Sequence, residues 1–275
     1  MIKKKIILDN NLDDFIDCIW ISNKPISDVH IKLLPGTGAE IYFILTGAFY
    51  LGKELQNRIL LLSLREKNID LTIKKDTTFI AVRFKFNSLR HFINRQTNEL
   101  FDQFIPAHEI FGKDYILLEK SFYSCCNDEQ RIIVISDFLK RQLNFNSKES
   151  FFKISDIRKI YEKPYDKKII ELAHDKNLSI RQFEKKFLTE MGITAKKFQL
   201  LSRFQHVTKF CLINKIVNYL PIALNWGYYD QAHFIKDFKS KTQISPSFFF
   251  IENNFLTHFY NTKSIINDNN ALIKF

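Results

Sequence analysis

The sequence predicts an α+β chain. An N-terminal β-rich, barrel-like domain with helices after it precedes an all-α domain of two helix-turn-helix units joined by a connecting helix. Three observations carry this. Up to residue 86, short runs alternate apolar and polar side chains, as in HIKLL and FIAVRFKF. The polar stretch NFNSKESF, 144–151, ends that half of the chain. Beyond it, a shift of 51 residues aligns 178–198 with 229–249. The expected domains are therefore 1–147 and 153–253, with a tail over 254–275.

Taken in order, the N-terminus has lysines and a short apolar patch. Asp9, Asp13 and Asp14 interrupt it before a signal-peptide core forms, so a cytoplasmic protein is expected. Strands are expected at 28–34, 41–45, 58–64, 69–73 and 77–86, with turns at Pro35-Gly36-Thr37-Gly38, Gly47 and Lys74-Lys75-Asp76. Trp20, Tyr42, Phe43, Phe49 and Tyr50 are candidates for barrel core or for the lining of a pocket. Helical spacing then appears at 87–92, 99–104, 114–126 and 128–143. The second domain reads as helices at 154–162, 167–175, 180–191, 195–214, 219–225, 231–241 and 246–253.

The net charge of +11 is unevenly spread. Residues 1–150 hold 21 Lys/Arg and 19 Asp/Glu, whereas 151–250 hold 18 and 9. A surplus of nine positive charges in one 100-residue block fits a polyanionic partner. Enzyme signatures are absent from the sequence: there is no nucleophile elbow, P-loop or dinucleotide fingerprint, and His108-Glu109 is an isolated pair. Cys18, Cys125, Cys126 and Cys211 include no C-x-x-C pair. No catalytic residue, cofactor or metal is expected. No run of 18 uncharged apolar residues suggests a membrane span.

Within the repeat, Phe183 matches Phe234, Lys185 matches Lys236, Phe187 matches Phe238 and Ile193 matches Ile244. Ser179, with Gln182, forms a capping box, and Asp230 is the matching N-cap. Leu178 with Phe183, and Tyr229 with Phe234, are the expected hydrophobic staples. The second copy has one extra residue in its turn, where Gly227 sits. The spacer 195–214, if fully helical, spans about 30 Å at 1.5 Å per residue. Successive major-groove faces of B-DNA lie about 34 Å apart. A rigid spacer of that length suits two helices reading adjacent major grooves.

Residues 153–253 resemble the DNA-binding domain of the AraC/XylS family of bacterial transcription regulators. The matching segments are ELAHDKNLSIRQFEKKFLTEMGITAKKFQLLSRFQ and IALNWGYYDQAHFIKDFKSKTQISPSFF. The second unit's motif is complete in Gly227, Tyr228, Asp230, Gln231, Phe234, Phe238, Lys239, Ser245 and Pro246, while Ala195 stands where the family usually has Pro. The N-terminal part resembles the sensor-type domains found ahead of such units, through LLPGTGAEIYFILTG, FIAVRFKFNSLRHF and NELFDQFIPAHEIFG.

The resemblance implies that the second helix of each unit enters the major groove. The matching positions are Arg181, Gln182 and Lys185, then Gln231, Ala232 and Lys236. Arg and Lys suit guanine O6/N7, Gln suits adenine, and Ala232 offers a methyl contact. Lys186, Lys196, Lys197, Arg203 and Lys239 are phosphate-contact candidates. His233 is a candidate for either capping or DNA contact. The expected function is a sequence-specific DNA-binding transcription regulator acting on double-stranded DNA and modulated through its N-terminal domain. RNA polymerase, an unidentified small-molecule effector and a second copy of the chain are candidate partners. The alternatives are a helical interaction module that does not bind DNA, and an alkyl-transfer repair protein fused to this domain. Cys125-Cys126 lacks the zinc-site spacing that the latter needs.

Overall fold

The computed structural model describes residues 3–4, 12–22, 24–56, 58–86, 88–145, 150–165, 168–214, 218–251 and 272–273. The expected boundary at 148–152 falls partly outside these residues, as does most of the 254–275 tail. Lys3–Lys4 (β1) pairs antiparallel with Leu272–Ile273 (β11).

The N-terminal strands are Ile16–Ile21 (β2), Val29–Leu33 (β3), Glu40–Thr46 (β4), Phe49–Leu51 (β5), Glu54–Leu55 (β6), Ile59–Leu62 (β7), Ile69–Ile73 (β8), Thr78–Phe84 (β9) and Phe104–Pro106 (β10). They are hydrogen-bonded as two sheets, β10-β7-β4-β9-β2 and β3-β8-β5-β6. Three helices follow: Ala107–Phe111 (α1), Lys113–Ser124 (α2) and Asp128–Phe145 (α3).

The alternation of β4 builds two apolar layers at once. Ile41 and Phe43 face a core shared with Leu118, Phe122, Ile135 and Phe138 of the helices. Tyr42 and Ile44 face the other way, toward Ile31, Phe49, Leu71 and Ile73 of the second sheet. The five-stranded sheet is therefore sandwiched. This is why β7 is buried along its whole length, while β3 and β8, with one covered face, alternate. Trp20, Tyr42, Phe49 and Phe79 fill the inter-sheet layer edge to face, with ring centroids 4.9–6.3 Å apart. Those aromatics are core; Phe43 lies in the helix-side layer, and Tyr50 is half-buried under Lys74.

Two short helices expected at 87–92 and 99–104 are 3-10 turns at Ser88–His91 and Thr97–Leu100, and Phe104–Pro106 is a strand instead. Pro106 favours extended backbone at Ile105, which pairs with Leu61.

Burial, aided by the neighbouring Arg90 guanidinium, holds His91 down at about 4. The folded ring is thus neutral where the unfolded one takes up a proton, near the usual value of about 6.5. Since the unfolded state binds more protons, stability is retained above about 6.5 and falls as pH drops from there toward about 4. The loss should reach at most about 3 kcal/mol, at ~1.4 kcal/mol per pH unit. Urea titrations from neutral pH down to about 4 check this. In His91→Phe, which keeps a ring against Phe15, the fall should be visibly shallower; an unaltered pH slope contradicts it.

The C-terminal helices are Ile154–Glu162 (α4), Ile169–His174 (α5), Ile180–Met191 (α6), Ala195–Asn214 (α7), Leu220–Asn225 (α8), Gln231–Thr242 (α9) and Pro246–Ile251 (α10). They form two cores that share α7. Phe198 and Leu201, in its first half, pack with Phe183, Phe187 and Met191. Phe204, Val207 and Cys211, farther along, pack with Phe234, Phe238 and Phe249. Leu64 joins the first core and Leu34 the second, so the N-terminal domain is docked against both.

Candidate nucleic-acid interface

The two hairpins close by different local chemistry. In the first, the Ser179 hydroxyl accepts from Gln182 N–H and Gln182 Oε1 accepts from Ser179 N–H, the reciprocal pair of a capping box. Gly192 ends α6 in the left-handed region, at φ 75°. In the second, the Asp230 carboxylate accepts from His233 N–H at 2.7 Å. Gly227 has φ +71°, and a Cβ there would lie 2.8 Å from Tyr165 Cβ, so the turn demands glycine.

The staple of the second unit is not the expected one. Tyr229 is 86% exposed, and Tyr228 packs on Phe234 with ring centroids 5.3 Å apart. The Tyr228 hydroxyl also donates to Asp237 Oδ2 at 2.9 Å. The extra turn residue shifts the apolar position back by one. In the first unit Leu178 packs against the core containing Phe183, as expected.

The repeat equates Gly192 with Gln243, which holds a left-handed C-cap at φ 65° with an exposed side chain. Gln243→Gly should therefore stabilise the chain by about 1 kcal/mol, the approximate cost of a side chain in that region. Thermal unfolding checks this, and a lowered Tm contradicts it.

Phe183, Phe187, Phe234 and Phe238 are buried, which turns the opposite face of each second helix outward. Arg181, Gln182, Lys185, Ala232 and Lys236 are exposed, and Gln231 is half-buried at its helix tip. Arg181, Lys185 and Lys236 form no ion pair among the described residues. Gln182 has spent its oxygen on the cap and keeps its amide NH2 for other partners. Glu184 accepts from Ala195 N–H at 2.9 Å, tying α6 to the start of α7.

The phosphate-contact candidates separate. Lys196 and Lys239 are exposed. Lys186 lies over the Phe151 ring, 4.5 Å from its centroid. Lys197 pairs with Glu66 of the N-terminal domain at 2.9 Å. Arg203 is clasped, donating to Gly227 O at 2.9 Å and lying 3.9 Å over the Tyr228 ring. It braces the second turn from α7.

The N-terminal domain and the segment before α4 together grip the first unit and α7. Glu190 accepts from Phe151 N–H at 2.8 Å and from Ser150 Oγ at 2.6 Å. Arg90 donates to Phe152 O at 3.0 Å, and burial lowers its guanidinium to about 10. A Cβ on Gly192 would lie 2.7 Å from backbone atoms of Thr97 and Asn98. Gln205 Oε1 accepts from both Thr37 N–H and Thr37 Oγ1, at 3.0 and 2.8 Å.

Between the domains lies a cleft of about 400 Å³. Its walls include Gln205, His206 and Lys209 of α7, Arg158 of α4, and the buried Arg83–Glu40 pair at 2.5 Å. Burial lowers Lys209, with Asp17 opposing. His206 is lowered by burial too; its Nε2 contacts Tyr161 O at 2.9 Å. Its ring stacks on Trp226 at 5.6 Å, beside the second turn.

No group of three His, Cys, Asp or Glu among the described residues is placed to hold a metal, and no described helix is long and apolar enough to cross a membrane.

Residues 172–250 match the family model of a helix-turn-helix domain, and residues 6–106 match that of a domain of unknown function (DUF6597). Among solved structures, ToxT from Vibrio cholerae O395 is similar at 12% identity and a TM-score of 0.42, covering 84% of this chain and 95% of that one. The same protein bound to (E)-4-(8-methylnaphthalen-1-yl)but-3-enoic acid gives 13% identity and a TM-score of 0.45, over 84% and 96%. Unsaturated fatty acid bound wild-type ToxT from Vibrio cholerae strain SCE256 gives 13% and 0.43, over 84% and 94%. No curated protein matches the chain.

Proposed function

We propose that this chain, whose residues 172–250 are a helix-turn-helix domain of the AraC type, regulates transcription by inserting α6 and α9 into adjacent major grooves of one duplex. The observation that carries the reading is the pairing of two buried Phe stripes with two outward polar faces, held on one α7. At 20 residues and about 1.5 Å each, α7 is about 30 Å long, close to one DNA turn. Arg181 and Lys185 of the first unit, and Lys236 of the second, supply charged base contacts. Gln231 and Ala232 contribute at the second tip, and Gln182 donates through its NH2. The first unit thus carries more of the polar readout, and base changes in its half-site should be the costlier ones.

Lys196, Lys239 and Lys186 are the remaining phosphate-contact candidates. Lys197 and Arg203 serve structure first, as the Glu66 pair and the Gly227 clasp support. Modulation runs through the interdomain cleft. A bound effector there would touch α7 at Lys209 and His206, and His206 leans on Trp226 beside the second turn. A second copy of the chain and RNA polymerase remain the macromolecular partners of this reading.

The experiment is selection of bound fragments from genomic DNA, followed by titration of the winners at rising salt. The reading expects a shared motif and a steep fall of log affinity with log salt, as phosphate contacts release counterions. Recovery of no enriched motif contradicts it.

A further inference from the structure

The 51-residue repeat equates Gln182 with His233, the third residue of each reading helix. Both side chains reach back to the helix entrance. Gln182 Oε1 accepts from Ser179 N–H at 3.0 Å, and His233 Nδ1 lies 3.2 Å from Tyr229 N. A backbone N–H can only donate, so Nδ1 must carry the lone pair. The proton of the neutral ring then sits on Nε2. The Tyr228 ring packs edge-on at 5.3 Å and, with that hydrogen bond, fixes the orientation of the imidazole. The residue is exposed, so what it presents outward is a single neutral N–H donor.

Its place on the helix says what that donor meets. At about 100° per residue, His233 lies about 60° around the helix from Lys236, on the flank of the outward face. A helix seated in the major groove turns its centre to base edges and its flanks to the groove walls, which are phosphate strands. We infer that His233 is a positioning residue, donating from Nε2 to a phosphate oxygen at the edge of the second half-site. The inference rests on the DNA-binding reading above.

Because the ring is neutral, the contact adds affinity without counterion release, unlike a lysine, whose loss lowers the salt slope by about one. The test combines nitrogen-15 spectra of the imidazole with DNA titrations of wild type, His233→Ala and His233→Gln. Two short duplexes of unrelated sequence are used across a potassium chloride series. Nε2 should carry the proton in the free protein. His233→Ala should bind both duplexes about ten- to hundredfold more weakly, the worth of one hydrogen bond to a charged group, with the salt slope unchanged. His233→Gln should stay within about twofold of wild type, since glutamine at the matching position both accepts and donates. A proton on Nδ1, equal binding by His233→Ala, a loss on one duplex only, or a reduced salt slope each overturns the inference. Wild-type protein that binds neither duplex overturns the DNA-binding reading itself. If His233→Ala fails to fold, the tautomer and the glutamine variant still decide.

Discussion

Phe187→Ala is expected to destabilise the C-terminal domain by about 3–5 kcal/mol, the usual cost of emptying a buried Phe site. Phe187 is fully buried, with the rings of Phe152, Phe183 and Phe198 at 5.2, 6.0 and 5.7 Å. These neighbours come from three places: the segment before α4, α6 itself and α7. A cavity there loosens the first unit from both the connecting helix and the segment before α4. The next residue provides the control. Leu188 is 43% exposed, and Leu188→Ala should cost far less, about 0.5 kcal/mol. Denaturant unfolding of both variants checks the contrast. Equal losses, or a loss below about 1 kcal/mol for Phe187→Ala, contradict the assigned face of α6.

Arg181→Ala and Lys236→Ala should each weaken binding to a selected operator by about 1–3 kcal/mol. Their side chains are exposed and form no ion pair among the described residues, so folding stability should barely change. The two sites lie on different helices with separate cores, and their effects should add. The double variant is then expected to lose about 2–6 kcal/mol. Gel-shift titration with competitor DNA gives the numbers. Unchanged operator affinity in both single variants removes these residues from the readout.

The C-terminal domain was legible because its signals are local. Ser179 with Gln182, Gly192 and the Phe stripe fix the bounds of α6 at Ile180–Met191, and α7 begins at the residue that the pattern marks. The outward faces follow from i,i+4 spacing, and the exposure of Arg181, Lys185 and Lys236 agrees. The sheet sandwich was harder to read. Strand β2 escaped because Asp17 and Cys18 interrupt its alternation, and a bulge between Ile16 and Cys18 displaces the register. Strand β10 carries no mark in the sequence, and its first residue, Phe104, falls at the end of an expected helix, because three residues are too few to show a period.

At the interface, contacts made across the chain add what sequence could not show. Lys197 looks like any solvated lysine until folding brings Glu66 beside it, 131 positions away. Arg203, a phosphate-contact candidate in sequence, is also held by the Gly227 carbonyl and the Tyr228 ring. The Tyr228–Tyr229 exchange has a similar cause, since a one-residue insertion moves the buried ring by one position. Sequence alone leaves His233 between cap and contact; the bond from Tyr229 N–H gives it the cap, and Nε2 has no partner among the described residues.

If α6 and α9 read two major-groove segments one helical turn apart on the same face of DNA, methylation interference on a selected operator should show two patches of guanine N7 contacts, their centres about 10 base pairs apart. Arg181→Ala should erase contacts in one patch only, and Lys236→Ala in the other. A single patch, or two patches half a turn out of phase, would contradict it.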